Sequence, residues 1–300
     1  MKRILKLFIK ITGSLVGLIV LGVVAILAIG YFRFYKTYDL DVSTLEIPTD
    51  EATVARGKHL VEAIAHCAYC HGPKLAGNIV VNADATGIVV APNLTSGKGG
   101  LGAAYTVDDW VRAIHHGVMH KGRSVIIMPS LSFDAIGAED LAAIIAYLQT
   151  IPPVDNMLPE TKLGLVAYAM VGMGPFTEAM SALHIDHDAP LPVTPAEGET
   201  AEYGAYLVEI GQCRLCHGAE LAGGQVAPSA PLGPNLTPGG EPGFWTEEQF
   251  FSVIRTGRHP SGRALNSVMP WKYFANMTDT ELRAIWVYLR SLPKLETVIP

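Results

Sequence analysis

Residues 57–72 read GKHLVEAIAHCAYCHG, and residues 204–218 read GAYLVEIGQCRLCHG. In both, a glycine opens an apolar run at helical spacing that leads into Cys-x-x-Cys-His. The likeness continues outward from these stretches. Ala91-Pro-Asn-Leu-Thr95 returns as Gly233-Pro-Asn-Leu-Thr237, Tyr105-Thr106 as Trp245-Thr246, Gly122-Arg123 as Gly262-Arg263, and Met128-Pro129 as Met269-Pro270. Each copy closes alike, Tyr147-Leu148 with Pro152 matching Tyr288-Leu289 with Pro293. Self-similarity of this kind marks a duplicated unit. The chain of 300 residues divides into an N-terminal segment (1–36), an acidic spacer (37–50), a first unit (51–153), an apolar connector (154–196) and a second unit (197–300).

Each unit reads as helical. Leu60, Val61 and Ile64 recur at helical spacing, and 139–150 and 278–291 read as amphipathic helices ended by prolines. Thr106 with Asp109, and Thr246 with Gln249, have the spacing of helix starts whose cap and third residue bond reciprocally. Few stretches alternate with period two, so the predicted class is all-α. The glycine- and proline-rich segments 72–104 and 218–243 are too long for connectors in a simple bundle. Something other than apolar side chains must organise them.

Residues 11–32 hold 22 uncharged positions, flanked by Lys10 and Arg33. At ~1.5 Å per residue this run reaches about 33 Å, enough to cross a hydrocarbon core. Four cations precede it, while Asp39, Asp41, Glu46 and Asp50 follow, so the positive-inside bias predicts a cytoplasmic N-terminus. The expected topology is a single pass through a bacterial inner membrane with everything beyond in the periplasm. A cleaved signal peptide usually has a shorter apolar region and a small-residue site, whereas this run ends in Tyr31-Phe32. The retained anchor is therefore preferred, with the lipid bilayer as its partner.

All four cysteines lie in Cys67-Ala-Tyr-Cys70-His71 and Cys213-Arg-Leu-Cys216-His217. A zinc site would place the second pair some 15–20 residues from the first, not across the 142 residues found here. A disulfide or redox pair leaves the following histidine unexplained, twice. Covalent haem attachment explains it: two thiols on one helical turn add to the two vinyl groups, and the next residue offers an imidazole to the iron. Two c-type haems are expected. For the opposite axial position the first unit offers Met119, Met128, His115, His116 and His120, and the second Met269, Met277 and His259. Only Met128 and Met269 stand in register, each followed by proline. The predicted iron ligands are therefore His71 with Met128 and His217 with Met269.

Cys-x-x-Cys-His followed by Pro-Asn-Leu and then Met-Pro resembles the class I cytochrome c family. Two such units behind an anchor resemble the membrane-bound cytochrome c subunits of bacterial dehydrogenases, especially of the alcohol dehydrogenase type, although those usually carry three haems. The resemblance implies that the carbonyls of Pro92 and Pro234 accept hydrogen bonds from the axial histidines and orient them. It also implies that first and last helices cross at a glycine, Gly57 and Val61 meeting Ile144 and Tyr147, and Gly204 and Val208 meeting Ile285 and Tyr288. With both axial positions filled, the expected function is single-electron relay rather than catalysis. The partners implied are a dehydrogenase, a quinol-oxidising complex or a terminal oxidase. Alternatives are a dihaem subunit of a cytochrome oxidase and a dihaem peroxidase.

The formal net charge is −6, and the residues beyond 36 carry 28 acids against 16 bases, so no basic face exists for nucleic acid. No Ser-His-Asp, P-loop or HExxH arrangement occurs. Within the connector, 163–176 (LGLVAYAMVGMGPF) is uncharged but too short to span a membrane. It is expected to pack across the two units, or else to offer an apolar surface to a membrane partner or the membrane interface.

Overall fold

The computed structural model describes residues 2–42, 45–174, 179–227 and 230–299. A continuous helix, α1 (Lys2–Tyr35), opens the chain. The first unit contains α2 (Glu51–His59), α3 (Ala68–His71), α4 (Val107–Ile114), α5 (Ser130–Phe133) and α6 (Ala138–Thr150). The connector carries α7 (Leu165–Met173). The second unit repeats the set as α8 (Ala201–Ile210), α9 (Cys213–His217), α10 (Glu247–Thr256), α11 (Trp271–Phe274) and α12 (Asp279–Ser291). The fold is all-α in its essentials. Reciprocal caps start α4 (Thr106 with Asp109), α10 (Thr246 with Gln249) and α12 (Thr278 with Glu281).

The duplication extends to backbone conformation. Positive φ angles recur in pairs at His66 and Gln212, Gly72 and Gly218, Leu75 and Leu221, Gly117 and Gly257, and Gly122 and Gly262. The copies differ by one residue between the opening glycine and the first cysteine. The longer first copy absorbs it as a π-helical turn over Leu60–Ile64, where the Ala65 N–H donates to the Leu60 carbonyl at 2.7 Å.

First and last helices of each unit cross in backbone contact. A Cβ on Gly57 would lie 1.8 Å from the Ala143 carbonyl oxygen, and one on Gly204 would lie 2.0 Å from that of Ala284. The crossing point is thus centred one residue before Ile144 and Ile285. Around it are packed Leu60, Val61, Ile64, Leu141 and Ile145 in one unit, and Leu207, Val208, Leu282 and Ile285 in the other.

The two units meet through a pseudo-twofold interface. Arg56 and His59 of α2 correspond in the repeat to Tyr203 and Tyr206 of α8, and Asp140 of α6 corresponds to Glu281 of α12. His59 Nε2 lies 2.8 Å from the Glu281 carboxylate, and reciprocally the Tyr206 hydroxyl donates to Asp140 at 2.7 Å. Arg56 donates twice to Asp140 at 2.9 Å and once to the hydroxyl of its own counterpart, Tyr203, at 3.3 Å. This self-complementary pattern is that of an isologous dimer built into one chain.

One departure from the expected class lies in 72–104. Ile79-Val-Val81 and Ile88-Val-Val90 flank the turn Asp84–Gly87 and pair as an antiparallel hairpin, β1 (Asn78–Ala83) and β2 (Gly87–Ala91). The connector adds β3 (Lys162–Leu163) beside β2. From axial histidine to following proline the first copy spans 21 residues and the second 17. The extra length accommodates the hairpin. The connector helix α7 packs along the C-terminal end of α1 rather than across the two units. Residues 175 and 176 of the apolar run lie outside the described residues.

Two outcomes are expected for the core. Asp140→Ala leaves Arg56 and Tyr206 without their shared acceptor at a nearly buried site, and thermal unfolding should show a loss on the order of 3 kcal/mol. Gly204→Val forces a side chain into the Ala284 backbone and should cost about 3 kcal/mol, with a spectral change confined to the second unit.

Candidate haem-attachment sites

The left-handed residue before each motif, His66 (φ +40) and Gln212 (φ +62), breaks the preceding helix and turns the chain into the short helical turn bearing the cysteines. The His71 N–H then donates to the Cys67 carbonyl at 2.9 Å, so the two thiols and the imidazole share one turn. No disulfide joins any of the four cysteines. Burial pushes Cys67 and Cys213 up to about 12, and raises Cys70 and Cys216 as well. Among the described residues no three His, Cys, Asp or Glu side chains cluster as a metal cage.

His71 and His217 are buried, and burial lowers both below the ordinary histidine value. His71 Nδ1 lies 2.8 Å from the Pro92 carbonyl oxygen, and His217 Nδ1 lies 2.8 Å from that of Pro234. A neutral imidazole donating from Nδ1 leaves its Nε2 lone pair for a metal. The donor chemistry of two thiols and one oriented imidazole fits a c-type haem.

The role of the asparagine in Pro-Asn-Leu-Thr was not legible in the sequence. Asn93 Oδ1 accepts from the Thr95 N–H at 2.9 Å and hydroxyl at 2.8 Å, while its Nδ2 donates to the Val154 carbonyl at 2.7 Å. Asn235 does the same with Thr237 and with the Leu295 carbonyl at 2.9 Å. Each asparagine ties the proline loop to the chain leaving the last helix, and so holds the carbonyl on which the histidine rests. The repeated Asn-x-Thr was the available signal.

Met128 and Met269 are half-buried and precede prolines of matching backbone, Pro129 (φ −81, ψ 52) and Pro270 (φ −80, ψ 39). The Ser181 hydroxyl donates to the Met128 carbonyl at 3.0 Å, so the connector steadies this loop. The competing sulfurs are placed differently. Met277 is buried in the core beside α12, and the Met119 N–H pairs with the Arg123 carbonyl. Among the other candidate histidines, His120 pairs with Asp109, His259 with Glu241 and His116 with His187, while His115 is buried against the His116 ring with no hydrogen-bond partner at Nδ1 among the described residues.

Aromatic rings join the first motif to α11 of the second unit. Tyr69, between Cys67 and Cys70, lies 6.3 Å from the Tyr273 ring, and His66 lies 5.3 Å from Phe274. Burial raises the Tyr69 hydroxyl, and the thiols of Cys70 and, across the interface, Cys216 add to that shift.

The chain is 27% identical to the fructose dehydrogenase cytochrome subunit of Gluconobacter japonicus, across 80% of this chain and 53% of that protein. It is 26% identical to the alcohol dehydrogenase (quinone) cytochrome c subunit of Gluconobacter oxydans, across 81% and 55%. A diheme cytochrome c-type protein of Cereibacter sphaeroides is 27% identical, across 83% of this chain and 88% of its own length. The chain thus spans about half the length of the dehydrogenase subunits. A family model described as cytochrome c oxidase, cbb3-type, subunit III matches residues 52–148 and again 199–289. With both repeats matched, the chain belongs to that cytochrome c family and is a carrier of covalently bound c-type haem.

Proposed function

We propose that this chain is a membrane-anchored dihaem cytochrome c that relays single electrons on the periplasmic side, from a dehydrogenase to a terminal acceptor. The observation that carries the reading is the repeated arrangement of Cys67, Cys70, His71 and Pro92 and of Cys213, Cys216, His217 and Pro234, in units joined next to the motifs, where Gln212 Nε2 donates to the Ala65 carbonyl at 3.4 Å. When bound, each haem supplies a one-electron centre. The chain's residues do the rest. Cys67 with Cys70 and Cys213 with Cys216 would hold the two haems covalently on α3 and α9, and His71 with Met128 and His217 with Met269 would be the iron ligands. The Pro92 and Pro234 carbonyls hold the Nδ1 protons and raise the basicity of Nε2. Ligation by these methionines would raise the potential into the range of electron carriers and would favour electron transfer over substrate binding at the iron.

The relatives named as cytochrome subunits of dehydrogenases support a dehydrogenase as donor. The family description favours a second reading, the dihaem subunit of a cytochrome oxidase. Solubilising the native membrane and identifying what copurifies distinguishes them. A dehydrogenase flavoprotein or quinoprotein subunit supports the first, and a haem–copper oxidase subunit the second.

Retention of α1 is supported by its packing. A Cβ on Gly30 would lie 1.9 Å from the Tyr168 carbonyl oxygen, and Arg33 donates to the Val171 carbonyl at 2.7 Å. Cleavage would strip this cover from α7.

Cys70→Ser and Cys216→Ser are each expected to weaken one covalent attachment and leave the other haem spectrum intact. Release of all haem from the wild type by acid extraction would refute covalent attachment. Met128→Ala or Met269→Ala should halve the methionine–iron absorption band, admit carbon monoxide at one iron and lower that potential. Wild type that already binds carbon monoxide or reacts with peroxide would point to the peroxidase instead.

A further inference from the structure

The helix α7, LVAYAMVGM, carries no charge and is apolar on every side. A helix of this kind belongs in a protein core or in lipid. Only part of it is covered by protein. Ala167 and Val171 are buried. Ala167, Met170 and Val171 also line an apolar cavity shared with the hairpin residues Val81 and Val89 and with Ile127. Leu165 (71%), Val166 (46%) and Met173 (59%) remain exposed.

What covers them is indicated by the neighbour. Gly30 of α1 faces Tyr168, and Gly172 faces Ile26, so α7 runs antiparallel to the anchor. Small residues at such crossings let helices approach closely in membranes. Ile26 lies six residues inside the uncharged run that ends at Phe32, a depth of about 9 Å along the helix. Arg33 donates to the carbonyls of Val171 and Gly172 at 2.7 and 3.3 Å. It thereby answers acceptors that a helix C-terminus leaves open and that hydrocarbon cannot solvate. The upper end of α7 sits among Tyr31, Phe34 and Tyr168, with Arg123 over the Phe34 and Tyr35 rings. Aromatic rings with cations beside them are the composition of a membrane–water boundary.

We infer that α7 is a re-entrant helix that dips along α1 into the outer leaflet, with phospholipid covering its exposed face, Leu165 at the headgroup boundary and Met173 among the acyl chains. The inference rests on the reading of α1 as a membrane anchor. It seats the first unit directly on the bilayer surface instead of leaving it free on a tether.

Nitroxide labels at Leu165→Cys and Met173→Cys, introduced singly into the full-length holoprotein in phospholipid nanodiscs, test it. Leu18→Cys in α1 and the exposed Val193→Cys serve as references, with both haems reduced. Labels at 165 and 173 should show greater access to oxygen than to a water-soluble nickel chelate, with 173 the deeper. If they instead match 193 while 18 remains lipidic, as for a face kept for a protein partner, the inference falls and the anchor stands. If 18 is itself aqueous, both fall.

Discussion

The backbone contact at the helix crossings is the constraint from which the rest of each unit follows. With Gly57 against the Ala143 carbonyl and Gly204 against that of Ala284, the first and last helices approach more closely than any side chain permits. The closeness brings Leu60, Val61 and Ile64 onto Leu141 and Ile145, and so supplies most of the apolar core of the unit. It also fixes where the first helix ends, and the left-handed residue there delivers the cysteine turn. The chain leaving the last helix then passes close enough for Asn93 or Asn235 to bind its carbonyls. One crossing therefore positions both the turn that bears the histidine and the loop that holds it.

Duplication has been followed by division of labour at the seam between the copies. An identical pair of units would place the same groups on both sides of the twofold axis. Here Arg56 and His59 stand on one side and Tyr203 and Tyr206 on the other, against Asp140 and Glu281. The substitution replaces cation facing cation by cation facing phenol, and lets two acids be satisfied without like charges meeting at the centre. Such a seam closes only one way, which fixes the separation and orientation of the two attachment motifs. The hairpin is a second asymmetry. Among the described residues it extends only the first copy, and it hands its edge strand to the connector through β3.

The connector touches both the long apolar helix α1 and the loops of the first attachment site. Its Ser181 steadies the Met128 carbonyl, Val154 anchors Asn93, and α7 lies along α1. The C-terminal end of α1 is consequently part of the folded body, and the first unit is the one held against it.

The sequence by itself determined the duplication, the helical class, the long apolar segment and the two attachment motifs. Each of these rests on local periodicity or on residues close together in the chain. Capping pairs such as Thr106 with Asp109 were legible for the same reason, being one helical turn apart. The hairpin was also local, in Ile79–Val81 and Ile88–Val90, but its signal was submerged in a glycine-rich stretch read as loop. Only the tertiary structure decided that Asn93 reaches Val154, that His59 meets Glu281, and that α7 packs on α1 rather than across the two units. Those partners lie 61, 222 and more than a hundred residues apart. An uncharged run announces that it must be covered, since water rejects it whatever its neighbours. Which surface covers it depends on geometry set by distant glycines, and no periodicity in the run itself encodes that choice.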